Sequence, residues 1–399
     1  MASSTAPAPN TQTPQVTKTR LAYIDGLRGV AIAAVLLLHA RTWSGGFDLP
    51  LIRYLGFGLG RAGVDLFLCL SGFCLFLPLV RQGDGSVQAM DVGEYARRRA
   101  RRILPPYYPA LLLAIFSCWV CYRYGGPGWW SQPFQDLFPI RGVAGAGNLV
   151  THFTLTHGLI NRYTASIDGA YWSLSTEAQF YVLLPPLIWI ARRYSIAWAV
   201  LVPIATSLVF RGALFLFRPV VLSYYIGDMI CFSRWVEFGF GMLAAAVSVG
   251  AIFRKHGSAA TELPRRLFPI MVLAVGFALF MEARFPGFFL MPFVWGSACC
   301  LLLICAGHPG RMRACLEWPP LVGLGTISYS VYLLHDTVFR LMATYLTRHS
   351  QPVEVRALLY FFLGIPVVLL ISVPFFRLLE LPFLTARRRL TGAAEAPSN

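Results

Sequence analysis

Strongly apolar runs recur from Leu21 almost to the C-terminus, separated by short polar connections that hold most of the cations. At about 20 residues per membrane crossing, the runs predict about ten spans, at 23–42, 62–80, 103–123, 171–191, 196–214, 231–251, 267–283, 288–307, 322–345 and 357–379. Proline and glycine inside several of them blur the edges by a few residues. The predicted fold class is an all-α polytopic membrane protein.

The connections test the count, because cytoplasmic loops carry an excess of arginine and lysine. "ARRRARR", "ARRY", "FRKH" with "PRR", "GRMR" and "ARRR" follow the even-numbered spans, on the side that also holds the N-terminus. The other connections carry single arginines such as Arg53, Arg141, Arg162, Arg284 and Arg348. Both termini are therefore expected in the cytosol, with the chain crossing the cell (inner, cytoplasmic) membrane many times. Residues 1–20, rich in Ser, Thr and Pro with no apolar core, read as a disordered cytosolic tail; 21–385 form the membrane domain and 386–399 a second cytosolic tail. The connection from Tyr124 to Ala170 is too long for a plain turn and is expected to cover an external cavity or hold a re-entrant piece.

Composition agrees, with 56% hydrophobic and 13% charged residues among 399. A net charge of +16 would suit a nucleic-acid partner, but the cations fall between apolar runs and read as topology signals, so none is expected. Lys18 and Lys255 are the only lysines, an arginine bias that points to a GC-rich bacterial source. The nine cysteines lie mostly inside the runs without histidines at metal-ligand spacing, so they read as small buried hydrophobes and no metal is expected.

An ionisable group at the centre of a span costs roughly 2.5–3.5 kcal/mol and needs a reason to be there. In "IDGLRGVAIAAVLLLHA", Arg28 and His39 are eleven residues apart, three helical turns, so they share one face about 16 Å apart along the axis. An arginine fork at the cytosolic mouth suits phosphate, and a deeper imidazole suits proton transfer. The pair fits a long phosphorylated donor such as acyl-CoA, head at Arg28 and thioester near His39. In the plainer account Arg28 snorkels to lipid headgroups and His39 bonds a neighbouring helix.

"YARRRARRILPPYY" packs Arg97, Arg98, Arg99, Arg101 and Arg102 ahead of the third run, as a lipid-facing anchor or as further phosphate ligands. "YWSLSTEAQFY" places Glu177 one turn inside the fourth, behind an N-cap expected at Ser173. Its carboxylate is expected to orient His39 or His335, or else to pair with an arginine. "ISYSVYLLHD" aligns Ser328, Tyr332 and His335 on one helix face, as the lining of a cavity or as hydrogen-bonded helix glue. His152 and His157, five apart, share no helix face and are assigned no metal.

Five stretches, "YIDGLRGVAIAAVLLLHA", "GVDLFLCLSGFCL", "RRRARRILPPYY", "WSLSTEAQFY" and "ISYSVYLLH", resemble in order and spacing the acyltransferase 3 family of integral-membrane acyltransferases. The resemblance implies about ten membrane helices and transfer of an acyl group, often acetyl from acetyl-CoA, onto hydroxyls of envelope carbohydrates, glycolipids or macrolides. It carries the family's functional residues onto Arg28, His39, Arg102, Trp172, Ser173, Glu177 and His335. His39, Glu177 and His335 are then expected to be catalytic, and Arg28, Arg102 and Arg99 to hold the donor. Trp172, Ser173, Ser328 and Tyr332 are expected to line the substrate site. Ala178 departs from the pattern where many relatives have a second acidic residue. The hydrolase-like domain of larger relatives is also missing, so the chain is expected to finish transfer in the membrane or with a separate partner. The functional expectation is O-acyl transfer, O-acetyl above all, to an envelope carbohydrate or glycolipid, with no permanent cofactor. A macrolide or other small-molecule acceptor is the alternative within the class; a transporter or flippase using the same crevice is the alternative outside it.

Overall fold

The computed structural model describes residues 21–45, 50–80, 86–124, 143–217, 229–251, 259–285, 287–349 and 351–384. Both expected tails, residues 125–142 and the "FRKH" and "ARRR" clusters lie outside them. Among the described residues the regular secondary structure is helical apart from one isolated bridge between Val80 and Val87.

In chain order the helices are α1 (Ala22–Ser44), α2 (Pro50–Phe76), α3 (Val92–Tyr124), α4 (Val143–Phe153), α5 (Trp172–Arg193), α6 (Ile196–Phe217) and α7 (Cys231–Ser248). There follow α8 (Ala259–Arg284), α9 (Met291–Ala306), α10 (Arg311–Leu316), α11 (Pro319–Thr326), α12 (Ser328–Arg348), α13 (Val353–Leu359) and α14 (Ile365–Phe375). A π turn at Tyr360–Gly364 joins the last two. Six helical segments are long and apolar enough to cross a membrane: Ala22–Ser44, Leu59–Phe76, Val92–Tyr124, Ile196–Phe217, Glu262–Arg284 and Val353–Leu384. Their outward faces carry large apolar side chains such as Val209, Phe217, Leu273, Phe362 and Leu370, each more than 70% exposed. That much exposed hydrocarbon on helices with internally satisfied backbones suits lipid and not water.

Two expected boundaries are corrected. The third run extends back to Val92, so the basic cluster Arg97–Arg102 rides on a helix and not in a loop. At 33 residues and ~1.5 Å per residue, that helix is about 50 Å long and overruns a bilayer core of about 30 Å. The ninth run is broken at Ile327, where α11 ends and α12 begins.

The bundle is organised around α1. Tyr23, Ile24, Leu27 and Ala31 belong to a core shared with α2, α5, α6, α7 and α9, whereas Ile32, Val35, Leu36, Ala40 and Trp43 belong to a second core with α3, α5, α12 and α14. A helix that is apolar nearly all round is a buried one. The glycines of "IDGLRG" explain how α1 fits: a Cβ at Gly26 would lie 1.9 Å from the Leu316 carbonyl oxygen, and one at Gly325 would lie 1.7 Å from that of Asp25. Only glycine permits this backbone approach of α10 and α11 to the start of α1.

Candidate active site

Asp336, on α12, is the acceptor around which the site is built. Its Oδ1 receives His39 Nδ1 at 3.2 Å and Trp43 Nε1 at 2.8 Å; its Oδ2 receives Arg340 Nη2 at 3.2 Å and the Gly169 backbone N–H at 3.4 Å. With donors on every side, the carboxylate serves as acceptor throughout, and His39 turns Nδ1 towards it. The other nitrogen, Nε2, carries no hydrogen bond among the described residues. The His39 side chain remains 23% exposed.

His335 stands edge-on to His39, ring centroids 4.7 Å apart. It donates Nδ1–H to the Tyr332 carbonyl at 2.7 Å, and its buried Nε2 has no partner. Arg340 also donates to the Ile167 carbonyl at 2.6 Å and to Cys118 Sγ at 2.8 Å, tying α3 and the α4–α5 connection to this centre. Asp168, in that connection, accepts from the Ala170 N–H at 2.9 Å and from Thr337 Oγ1 at 3.2 Å. Burial, with the Asp336 charge nearby, pushes its carboxyl up to about 7.

Beneath lies a cavity that is partly open to its surroundings. Arg28, Arg102, Ser71, Glu177 and Tyr181 supply polar lining, side chains such as Phe67, Ile103 and Leu174 an apolar wall, and Ser173, Ser328 and Tyr332 also face it. Arg28 Nη1 donates to Asp25 Oδ1 at 3.0 Å and Nη2 to Cys74 Sγ at 3.5 Å. Glu177 Oε1 accepts from Ser71 Oγ at 2.5 Å and Tyr181 OH at 2.6 Å. The expected pairing of Glu177 with a histidine is thus replaced: Asp336 holds His39, and Glu177 belongs to the cavity wall beside the arginines. Arg99 reaches the cavity indirectly, its guanidinium 5.8 Å from the ring of Tyr181 and equally far from that of Tyr95.

The fourth-run motif is also rearranged. Helix α5 starts at Trp172, with Tyr171 in the N-cap position, so Ser173 lies inside the helix and does not cap it. The Ser173 hydroxyl meets Tyr332 OH at 2.5 Å. Trp172 is not among the cavity-lining residues; the Arg234 guanidinium lies over its ring at 5.4 Å. Arg234 in turn bonds Asp65 and stands 3.1 Å from Glu237 Oε1, a separate buried ionic centre between α2 and α7.

His152 and His157 share no helix face, yet a turn at Leu155, with φ of 57°, folds them together so that their rings stack at 4.0 Å. His152 Nδ1 donates to the Asn148 carbonyl and His157 Nε2 to that of Tyr171, at 2.9 and 3.0 Å. Their remaining ring nitrogens are buried without partners. Parallel rings cannot aim two lone pairs at one ion, so the pair braces the chain leading into α5.

A family model described as an acyltransferase domain matches residues 21–377. The chain belongs to the acyltransferase 3 family. It is 27% identical over 339 residues to YrhL of Bacillus subtilis, provisionally named a peptidoglycan O-acetyltransferase, covering 79% of this chain and 48% of that protein. It is 23% identical over 352 residues to the O-acetyltransferase OatA of Staphylococcus aureus strain NCTC 8325, covering 83% and 53%. To the peptidoglycan O-acetyltransferase OatA of Listeria monocytogenes it is 23% identical over 384 residues, covering 90% and 55%. The chain spans about half the length of the curated relatives it matches. No solved structure matches it significantly. The family motifs converge in space: Arg28, Arg102, Ser173, Glu177 and Ser328 line one cavity, and His39 and His335 meet just beyond it.

Asp336, Trp43, Arg340, Asp168, Ser71 and Tyr181 escaped the sequence reading. Asp336 and Arg340 were detectable as ionisable residues within an apolar run; the hydroxyls carried no comparable signal.

Proposed function

We propose that the chain is a membrane O-acyltransferase that moves an acyl group, acetyl above all, from acyl-CoA to a hydroxyl of an envelope carbohydrate. The observation that carries the reading is the His39–Asp336 pair, whose geometry leaves an imidazole Nε2 lone pair available as a base. The names of the relatives favour a peptidoglycan acceptor, and Arg28 and Arg102 in the cavity favour a phosphorylated donor. His39 Nε2 takes the acceptor's hydroxyl proton as that oxygen attacks the thioester carbonyl. The C–S bond then breaks, and the imidazolium returns the proton to the departing thiolate, leaving ester and free CoA thiol. Asp336 fixes the tautomer and balances the imidazolium charge.

In this reading the chain crosses the cytoplasmic membrane ten times with both ends in the cytosol. Six of the expected runs are helices long and apolar enough to cross, and this reading adds four more helical runs, one of which, the ninth run, is broken at Ile327. The other four are the short α9, the helices α7 and α12, which carry the buried ion pairs described above, and α5, which carries Glu177 in the cavity wall.

The test is the protein in sealed proteoliposomes with acetyl-labelled acetyl-CoA and soluble glycan strands containing muramic acid. Label transferred to the glycan, with CoA thiol released in proportion, is expected. Translocation of the glycan without CoA release would replace the enzyme reading by a transporter.

A further inference from the structure

The donor cavity and the histidine pair do not join. The cavity lining ends at Tyr332 and Ser173 and includes neither His39 nor His335. Between them stands the ring of Tyr332, 5.4 Å from that of His335 and 6.2 Å from that of Phe67. Its hydroxyl donates to the Ala170 carbonyl at 2.6 Å and accepts from Ser173 Oγ at 2.5 Å. The ring is thus latched to the start of α5 by two hydrogen bonds. His39, across on α1 with its ring 4.7 Å from that of His335, is partly exposed although it does not line the cavity.

We propose that Tyr332 is a specificity-determining partition: latched to Ser173 and Ala170, its ring keeps the donor thioester away from His39 until an acceptor hydroxyl is seated. The proposal rests on the acyl-CoA reading of the cavity. The chemistry requires such a separation, because a base able to activate a sugar hydroxyl also activates water. Water's oxygen would bond to the thioester carbonyl, the C–S bond would break, and a proton passing through His39 Nε2 would reach the thiolate. Acetic acid and CoA thiol would form with no acceptor consumed. Partitions that must move before reaction are a general means of suppressing this loss. Tyr332 suits the task because it touches both sides: its side chain lines the cavity, while its own carbonyl holds His335 Nδ1 at 2.7 Å.

The experiment measures CoA thiol release from acetyl-CoA without acceptor, in nanodiscs, with CoA binding measured separately by calorimetry. Tyr332→Ala is expected to raise acceptor-free release by about tenfold or more, the factor that an ordinary hydrogen bond controls. Tyr332→Phe, which keeps the ring and loses the latch, should raise it less, and Tyr332→Ala combined with His39→Ala should return it to background. Normal CoA binding with release unchanged in both single variants overturns the partition and leaves the donor reading standing. If Tyr332→Ala fails to bind CoA, Tyr332→Phe decides alone. Failure of the unaltered protein to bind CoA overturns the donor reading and the partition together.

Discussion

His39 Nδ1 and Asp336 Oδ1 face each other at 3.2 Å across the contact of α1 with α12, joining residues 297 positions apart. The carboxylate accepts and never donates, so it selects the tautomer that leaves Nε2 basic. Asp336→Asn replaces that selection with an amide able to donate to Nδ1, which moves the ring proton to Nε2 and removes the base. The expected result is a fall in kcat of about 10³–10⁴-fold with KM for acetyl-CoA little changed, by analogy with loss of the carboxylate from a hydrolase triad. Steady-state CoA release measures it; an unaltered kcat would take Asp336 out of the chemistry.

Arg28 differs from its neighbours on α1 in lining the cavity while half its fork is already engaged by Asp25. A lysine in its place keeps the charge and loses the planar fork. Arg28→Lys should weaken CoA binding by about tenfold and Arg28→Ala by up to about 100-fold, the range of hydrogen bonds to charged groups. Calorimetric titration with CoA reads this directly, and equal affinity in all three proteins would assign Arg28 to the lipid surface.

Much of this site was legible because helical periodicity is local. Ser328 and Tyr332 follow from a spacing within one helix and both lie on the cavity wall, whereas of Arg28 and His39, expected to open into one crevice, only Arg28 lines it. What failed depended on which helices pack together. Glu177 is the conspicuous carboxylate of its run, and whether a histidine or an arginine faces it depends on packing; the contact of α1 with α12 delivers Asp336 to His39 instead, while Glu177 meets Ser71 and Tyr181. Asp336 sits beside His335 in the very stretch that drew attention, but adjacent helical residues point to different faces, so following the Ser328–Tyr332–His335 stripe leads away from it. The stacking of His152 on His157 was hidden for a related reason, since it depends on a left-handed turn at Leu155.

Those two stacked histidines give the connection a pH dependence. Burial pushes His157 down to about 4; burial and then the neighbouring His157 push His152 down to about 3. Both values lie below the unfolded value of about 6.5, so the unfolded chain binds protons first as pH falls. Their contribution to stability is complete above about 6.5 and is lost as pH drops through 4 and then 3. Thermal melts in detergent between pH 7 and pH 4 should show a falling Tm. The fall should be shallower in a His152→Gln, His157→Gln double variant, whose Tm at pH 7 is itself lower. Parallel slopes would show that other groups carry the acid sensitivity.

Arg234 offers a test of stability separate from the chemistry. Its guanidinium lies between Asp65 of α2 and Glu237 of α7, all three side chains are at most 6% exposed, and none of them lines the cavity. Removing the cation leaves two carboxylates facing each other in a medium that solvates neither, and loss of one member of a buried ion pair typically costs about 3–5 kcal/mol. Arg234→Met, close in length and without charge, should therefore lower the Tm and the yield of folded protein. Adding Asp65→Asn and Glu237→Gln should restore much of the loss, because the repulsion is removed along with the attraction. In the restored triple variant, KM for acetyl-CoA should match that of the unaltered protein. A triple variant as unstable as Arg234→Met would mean that Arg234 acts through its stacking on Trp172, at 5.4 Å, and not through its charge partners.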